Sequence, residues 1–244
     1  MVDYRIDELG INNYKIIQKK SGFCFGIDAV LLANFVDAYK NESVLDLGTG
    51  TGIIPILLTA KKSPGKITGI EIFEEMVQMA KASVKLNNLE DRIEIRSMDI
   101  KEAKNKLNNK LFDIVVSNPP YTKYGGGITN ESEYKKIARH EILCTLEDLI
   151  SSASKLTKQY GRFYMVHRPN RLVDIISLMR AYKLEPKLMR FVYPKAGKKP
   201  NLVLIMGIKS SRPQMEILPS LYVYNKDGAY TKEIIEIYGG QYLE

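Results

Sequence analysis

What most constrains this chain is a rhythm. Between residue 43 and about residue 182, short apolar runs of strand length alternate with segments whose apolar residues recur at helical spacing. Residues 43–47, 66–72, 92–98, 112–117 and 161–167 read as strands. Between them, Met76, Val77, Ala80 and Val84 share one face of a helix over 73–87, and Leu146, Leu149, Ile150, Ala153 and Leu156 share one face of a later helix capped by Thr145. Such alternation predicts an α/β fold, a Rossmann-like, mostly parallel sheet with helices on both faces. Ligands in such sheets bind outside the carboxyl ends of the strands.

The rhythm changes after a helix over 170–182. Two further runs, 186–193 and 201–209, follow with no helix between them, which predicts an antiparallel hairpin appended to the parallel sheet. A dinucleotide-binding dehydrogenase would continue with another crossover helix. The expected organisation is an N-terminal extension, 1–42, with an entry helix over 28–39; a core, 43–210; and a C-terminal extension, 211–244, packed on the core with a short helix near 231–237.

The first strand runs into Asp46-Leu47-Gly48-Thr49-Gly50-Thr51-Gly52. Glycines at alternate positions after a strand let the backbone pass close to a ligand where a side chain would collide. No Gly-Lys-Ser/Thr follows, so the loop is not a phosphate-binding P-loop. Two more acids end the next two strands: Glu71 is placed to accept the ribose hydroxyls of a nucleoside, and Asp99 the adenine amino group, with Ile72 and Met98 as apolar neighbours for the purine. An acid at a strand end is also a common helix cap.

The fourth strand ends in Asn118-Pro119-Pro120-Tyr121. An exocyclic amine is a poor nucleophile because its lone pair is delocalised into the ring, so a site that methylates it must work by geometry and hydrogen bonding. The Asn118 side-chain carbonyl and the Pro119 main-chain carbonyl can accept N–H bonds and stabilise positive charge growing on nitrogen. Two prolines stiffen the loop, and Tyr121 can stack on a planar target. Further on, Arg139 is suited to a phosphate and His140 to orientation.

Lys and Arg number 36 against 28 Asp and Glu, a net charge of +8, which favours an anionic partner and above all a nucleic acid. The two cysteines and two histidines have no metal-ligand spacing, so no metal is expected. No apolar run is long enough to span a membrane, and the first residues lack the pattern of a secretory signal, so the expected location is the cytoplasm.

Residues 43–209 resemble a class I methyltransferase of the "small" methyltransferase group. That resemblance implies a seven-stranded sheet whose last strand is antiparallel and S-adenosyl-L-methionine as donor. It also assigns Asp46, Gly48, Gly50, Gly52, Glu71 and Asp99 to donor binding and Asn118, Pro119, Pro120 and Tyr121 to catalysis. The stretches Phe25 to Ala33, Ala138-Arg139-His140-Glu141 and Asp227-Gly228-Ala229-Tyr230-Thr231 are similar to bacterial tRNA (adenine-37-N6)-methyltransferases, which implies tRNA as partner and N6 of an anticodon-loop adenine as acceptor. The same family places Phe25 and Asp28 beside the methionine end of the donor, and the hairpin tip with Lys195, Lys198 and Lys199 beside the substrate. Three alternatives stay open on sequence: an amine methyltransferase of ribosomal RNA or DNA, a glutamine N5-methyltransferase acting on protein, and a non-catalytic RNA-binding module.

Overall fold

A computed structural model describes residues 4–20, 26–120 and 144–240. Phe25, Tyr121, Arg139 and His140 lie outside them.

The chain opens with a hairpin, β1 (Tyr4–Glu8) and β2 (Lys15–Lys19), where only a helical segment was expected. Asn12 and Asn13 make its turn at φ 52° and 54°, the left-handed region that asparagine tolerates. Helix α1 (Ile27–Phe35) follows, stopping well short of residue 39. Beyond Phe35 burial alternates, Val36 and Ala38 inward and Asp37 and Tyr39 outward, and only extended backbone satisfies that period of two.

Next come β3 (Val44–Leu47), α2 (Ile53–Lys61), β4 (Ile67–Glu71), α3 (Glu74–Leu86), β5 (Ile93–Ser97), the short α4 (Ala103–Lys106) and β6 (Phe112–Ser117). Helix α5 (Leu146–Leu156) precedes β7 (Thr157–His167), α6 (Leu172–Ala181), β8 (Leu184–Tyr193) and β9 (Leu202–Lys209). The expected Thr145 cap is a full capping box: its hydroxyl accepts from the Asp148 amide at 3.1 Å, and Asp148 accepts from the Thr145 amide at 3.0 Å. Two-residue strands β10 (Glu216–Ile217) and β11 (Leu221–Tyr222) and helix α7 (Lys232–Ile237) complete the chain.

The main sheet runs β10-β8-β9-β7-β6-β3-β4-β5. Strands β3 to β7 are mutually parallel, and β9 lies antiparallel between β7 and β8. The seven expected strands are joined by β10 and β11, making nine among the described residues. Both pair with β8, which would otherwise leave a long edge of unsatisfied backbone groups.

Alternation along the strands splits the core between the two faces. Val44, Ile114 and Val116 pack with α1, α2 and α3, whereas Leu45, Leu47 and Val115 pack with α5 and α6. Each fully buried aliphatic side chain contributes roughly 1.5–3 kcal/mol. The N-terminal hairpin docks on α3 through side chains that imitate a strand: Ser83 Oγ accepts from the Ile17 amide, and Asn87 both accepts from and donates to the backbone of Lys15.

Candidate functional site

Succession runs outward from β3 to β4 to β5 and then returns to β6 on the other side of β3. At such a switch point the loops diverge and leave a crevice at the strands' carboxyl ends. A cleft of about 300 Å³ lies there, and Gly48, Glu71, Ile72, Asp99, Pro119 and Pro120 contribute to its wall.

The glycine loop is held by its neighbours. The amides of Gly48 and Thr49 both donate to the Ile70 carbonyl, at 3.0 and 2.9 Å. All three glycines have positive φ: 77° at Gly48, 56° at Gly50 and 84° at Gly52, so a side chain at any of them is strained. Glu71 fixes the loop from the side. Its Oε2 accepts from the Gly50 amide at 3.0 Å, while Oε1 accepts from the amides of Ile72 and Phe73 at 2.9 and 3.0 Å. Asp99 Oδ1 accepts from the Lys101 amide at 2.8 Å, capping a 3-10 turn over Ile100–Glu102. Asp99 thus caps a turn and Glu71 braces two loops, while both stand on the cleft wall.

Asp46 is the anomaly of the region. It is fully buried, and neither carboxylate oxygen has a hydrogen-bond partner among the described residues. Thr49 Oγ1 is likewise without a partner in hydrogen-bond geometry, so its nearness offsets the carboxylate's desolvation only in part. Burial, helped by the nearby charge of Glu71, pushes the Asp46 carboxyl up to about 7. Buried carboxylate oxygens left unmatched by protein are what an ammonium-bearing ligand would satisfy.

Strand register brings the proline loop to this place. Asp46 pairs with Val116 across β3 and β6, and the buried Ser117 hydroxyl donates to the Leu47 carbonyl at 2.8 Å. Half-buried Asn118 thus leaves β6 beside the point where β3 turns into the glycine loop.

The opposite wall comes from parts of the chain that sequence reading did not connect to the site. Cys144, Leu146 and Leu149 approach from the start of α5, and His167 and Arg171 from the end of β7 and the turn beyond it. His167 ended a strand already expected from sequence, so the rule that ligands gather at strand ends could have found it; nothing local marks the other four. Burial pushes the His167 imidazole down to about 4, leaving it neutral at physiological pH, and pushes the Cys144 thiol up to about 11, leaving it inert as a nucleophile.

The remaining expected residues are distributed differently. Met98 is buried in the core and is not part of the cleft wall, whereas Ile72 stands on it at 38 % exposure. Asp28 accepts from the Ala29 amide and lies near Tyr238, whose phenol is raised chiefly by burial and then by the neighbouring Tyr230 and Asp28. Lys195, Lys198 and Lys199 are exposed on the tip between β8 and β9, at the same edge of the sheet as the cleft. Among the described residues no group of three or more His, Cys, Asp or Glu is placed to hold a metal ion, and no helix is long and apolar enough to cross a membrane.

A parallel sheet with an inserted antiparallel strand, a glycine loop at its switch point and a proline loop facing it are together the architecture of a Rossmann-like methyltransferase. The family model described as a methyltransferase domain matches residues 38–196, and the chain belongs to that family, the S-adenosylmethionine-dependent methyltransferases. Among its relatives is a tRNA1(Val) (adenine(37)-N6)-methyltransferase of Porphyromonas gingivalis, 30% identical over 239 residues that make up 95% of this chain and 93% of the relative. Another protein of that name, from Phocaeicola vulgatus, is 29% identical over 180 residues, 74% of each chain. Among solved structures, one from Agrobacterium tumefaciens described as a predicted O-methyltransferase superposes with a TM-score of 0.71 at 22% identity, covering 89% of this chain and 98% of its own. A 16S rRNA N2 G1207 methyltransferase of T. thermophilus, solved with AdoMet and guanosine, gives 0.60 at 18% identity, over 84% of this chain and 50% of its own.

Proposed function

We propose that this methyltransferase acts in the cytoplasm on tRNA, methylating N6 of the adenine at position 37 of the anticodon loop. The observation that carries the chemistry is the coupling of the two loops: the Ser117–Leu47 hydrogen bond ties the strand end bearing Asn118 to the strand end bearing Asp46 and the glycines. The names of the full-length relatives and the net charge of +8 support a tRNA substrate.

The donor, when bound, supplies an electrophilic methyl group on a sulfonium. The chain's residues fit it. Asp46 offers two unmatched buried oxygens to its amino group, Glu71 retains lone pairs for ribose hydroxyls beyond those used on the loop, and Asp99 and Ile72 remain for the adenine.

On the acceptor side, Asn118 and the Pro119 carbonyl receive the two N–H bonds of the target amine, which aims its lone pair and stabilises the charge that develops on nitrogen. The amine loses its proton to solvent after transfer, so no buried base is required. Neutral His167 and Arg171, on the facing wall, shape the acceptor half of the cleft.

Competition decides the substrate class. Labelled methyl transfer to unmodified tRNA should proceed undiminished in the presence of ribosomal RNA or a glutamine-bearing release-factor peptide. Displacement by either competitor would reassign the acceptor.

A further inference from the structure

The C-terminal segment carries a feature that methyl transfer does not use. Along 221–224 burial alternates: Leu221 and Val223 are in the core, while Tyr222 and Tyr224 face outward, each at 40 % exposure. Each exposed ring is backed by a second one. Tyr222 lies 5.3 Å from Tyr193, centroid to centroid, and Tyr224 is stacked at 5.2 Å on Tyr230. This arrangement holds two aromatic faces in place at the surface, where they would otherwise cost side-chain freedom on contact.

The rings adjoin the basic hairpin tip. The Tyr224 amide donates to the Pro194 carbonyl at 2.8 Å and the Val223 amide to the Tyr193 carbonyl at 2.9 Å, so the segment is zipped to the base of the loop carrying Lys195, Lys198 and Lys199. Lys226 follows in the next turn, with Asp227 the acid there, its Oδ1 accepting from the Ala229 amide. At the other end of the tip, Arg168 donates to the Asn201 carbonyl at 2.9 Å, joining the tip to the end of β7 where His167 enters the cleft. Lysines and backed tyrosines thus lie at the same end of the sheet as the cleft, joined to the end of β7 through the base of the hairpin.

Resting on the tRNA reading above, we infer that Tyr222 and Tyr224 form a stacking platform for unpaired bases neighbouring the methylated one, with the hairpin-tip lysines on the adjoining phosphates. Single-stranded nucleic acid is bound by this pairing of exposed aromatic rings and lysines, because every base has a face to stack and every linkage a charge. A loop whose target base enters the cleft has its other bases unstacked and in need of a surface.

The test is fluorescence anisotropy with an unmodified anticodon stem-loop RNA at a series of salt concentrations. Tyr222→Ala and Tyr224→Ala should each weaken RNA binding by about tenfold, leaving the salt slope, donor affinity and melting temperature near wild type. Tyr222→Phe and Tyr224→Phe, which keep the ring, should bind like wild type, and Tyr222→Leu, which covers Tyr193 without a π-face, should bind like the alanine variant. Replacing Lys195, Lys198 and Lys199 should instead flatten the salt slope. If wild type binds and methylates the RNA but the alanine variants bind it equally well, the platform is refuted and the tRNA reading stands. If wild type binds no RNA, the tRNA reading itself fails.

Discussion

Asp46→Asn should make the donor-free protein more stable while destroying its affinity for donor. The Asp46 carboxyl has an ordinary value of 3.8 and is pushed to about 7 by burial. At about 1.4 kcal/mol per pH unit, that displacement is worth roughly 4 kcal/mol. The sign follows from the protons held: between about pH 4 and 7 the folded protein keeps a proton that the unfolded chain has released, so stability falls as pH rises through this window and stays lost above it. Asparagine has nothing to titrate, and whatever its amide costs in the same cage is independent of pH. Urea denaturation of both proteins without donor, from about pH 5 to about pH 8, should show Asp46→Asn gaining on wild type by roughly 3 kcal/mol as pH rises, the part of the displacement that falls inside that range. Calorimetry should show donor affinity of wild type rising over the same range, because the donor's ammonium needs the ionised carboxylate, and that of Asp46→Asn collapsing at every pH. A stability gap that does not change with pH, or wild-type donor affinity in Asp46→Asn, would refute the reasoning.

Asn118→Ala should lower the rate of methyl transfer by about two orders of magnitude or more while leaving donor affinity near wild type, as single-turnover kinetics and calorimetry would show. Gly52→Ala forces a side chain at φ 84° with its Cβ 3.3 Å from that of Ala80; a loss of about 1–2 kcal/mol in denaturation, with weakened donor binding, is expected. Thr145→Ala removes the hydroxyl half of the α5 capping box, leaving the Asp148 carboxylate on the main-chain amide of residue 145, and should cost about 1 kcal/mol of stability.

The core strands are readable because one rule governs them: each is an apolar run ending in residues that cannot continue it, and β3 to β6 fall where periodicity puts them, while β7 begins four residues early in the polar stretch Thr157-Lys158-Gln159-Tyr160. The β8–β9 hairpin was equally plain from the missing helix. Elements that depend on a partner were not. Strand β2 has its alternation in Ile16 and Gln18, but it is worth forming only because Ser83 and Asn87 on α3 receive it, and the Asn12-Asn13 turn was the overlooked local signal. Strands β10 and β11 are two residues each and exist to cover the edge of β8.

The site divides in the same way. One wall of the cleft is contiguous in sequence with strand ends, so Gly48, Glu71 and Asp99 fall where position along the strands puts them. Its facing wall is assembled by topology: α5 and β7 converge on it from residues 144–149 and 167–171, and only the fold brings them opposite Pro119 and Pro120. Met98, at the end of β5, is by contrast buried in the core cluster beside Ile100 and Ala103.

The most direct test of the account is to incubate the protein with methyl-labelled S-adenosylmethionine and unmodified total tRNA, digest the RNA, and identify the labelled nucleoside by mass spectrometry. The account predicts label in N6-methyladenosine, mapping to position 37 of the anticodon loop and absent with Asn118→Ala. Label in another nucleoside, or none in tRNA despite measurable donor binding, would contradict it.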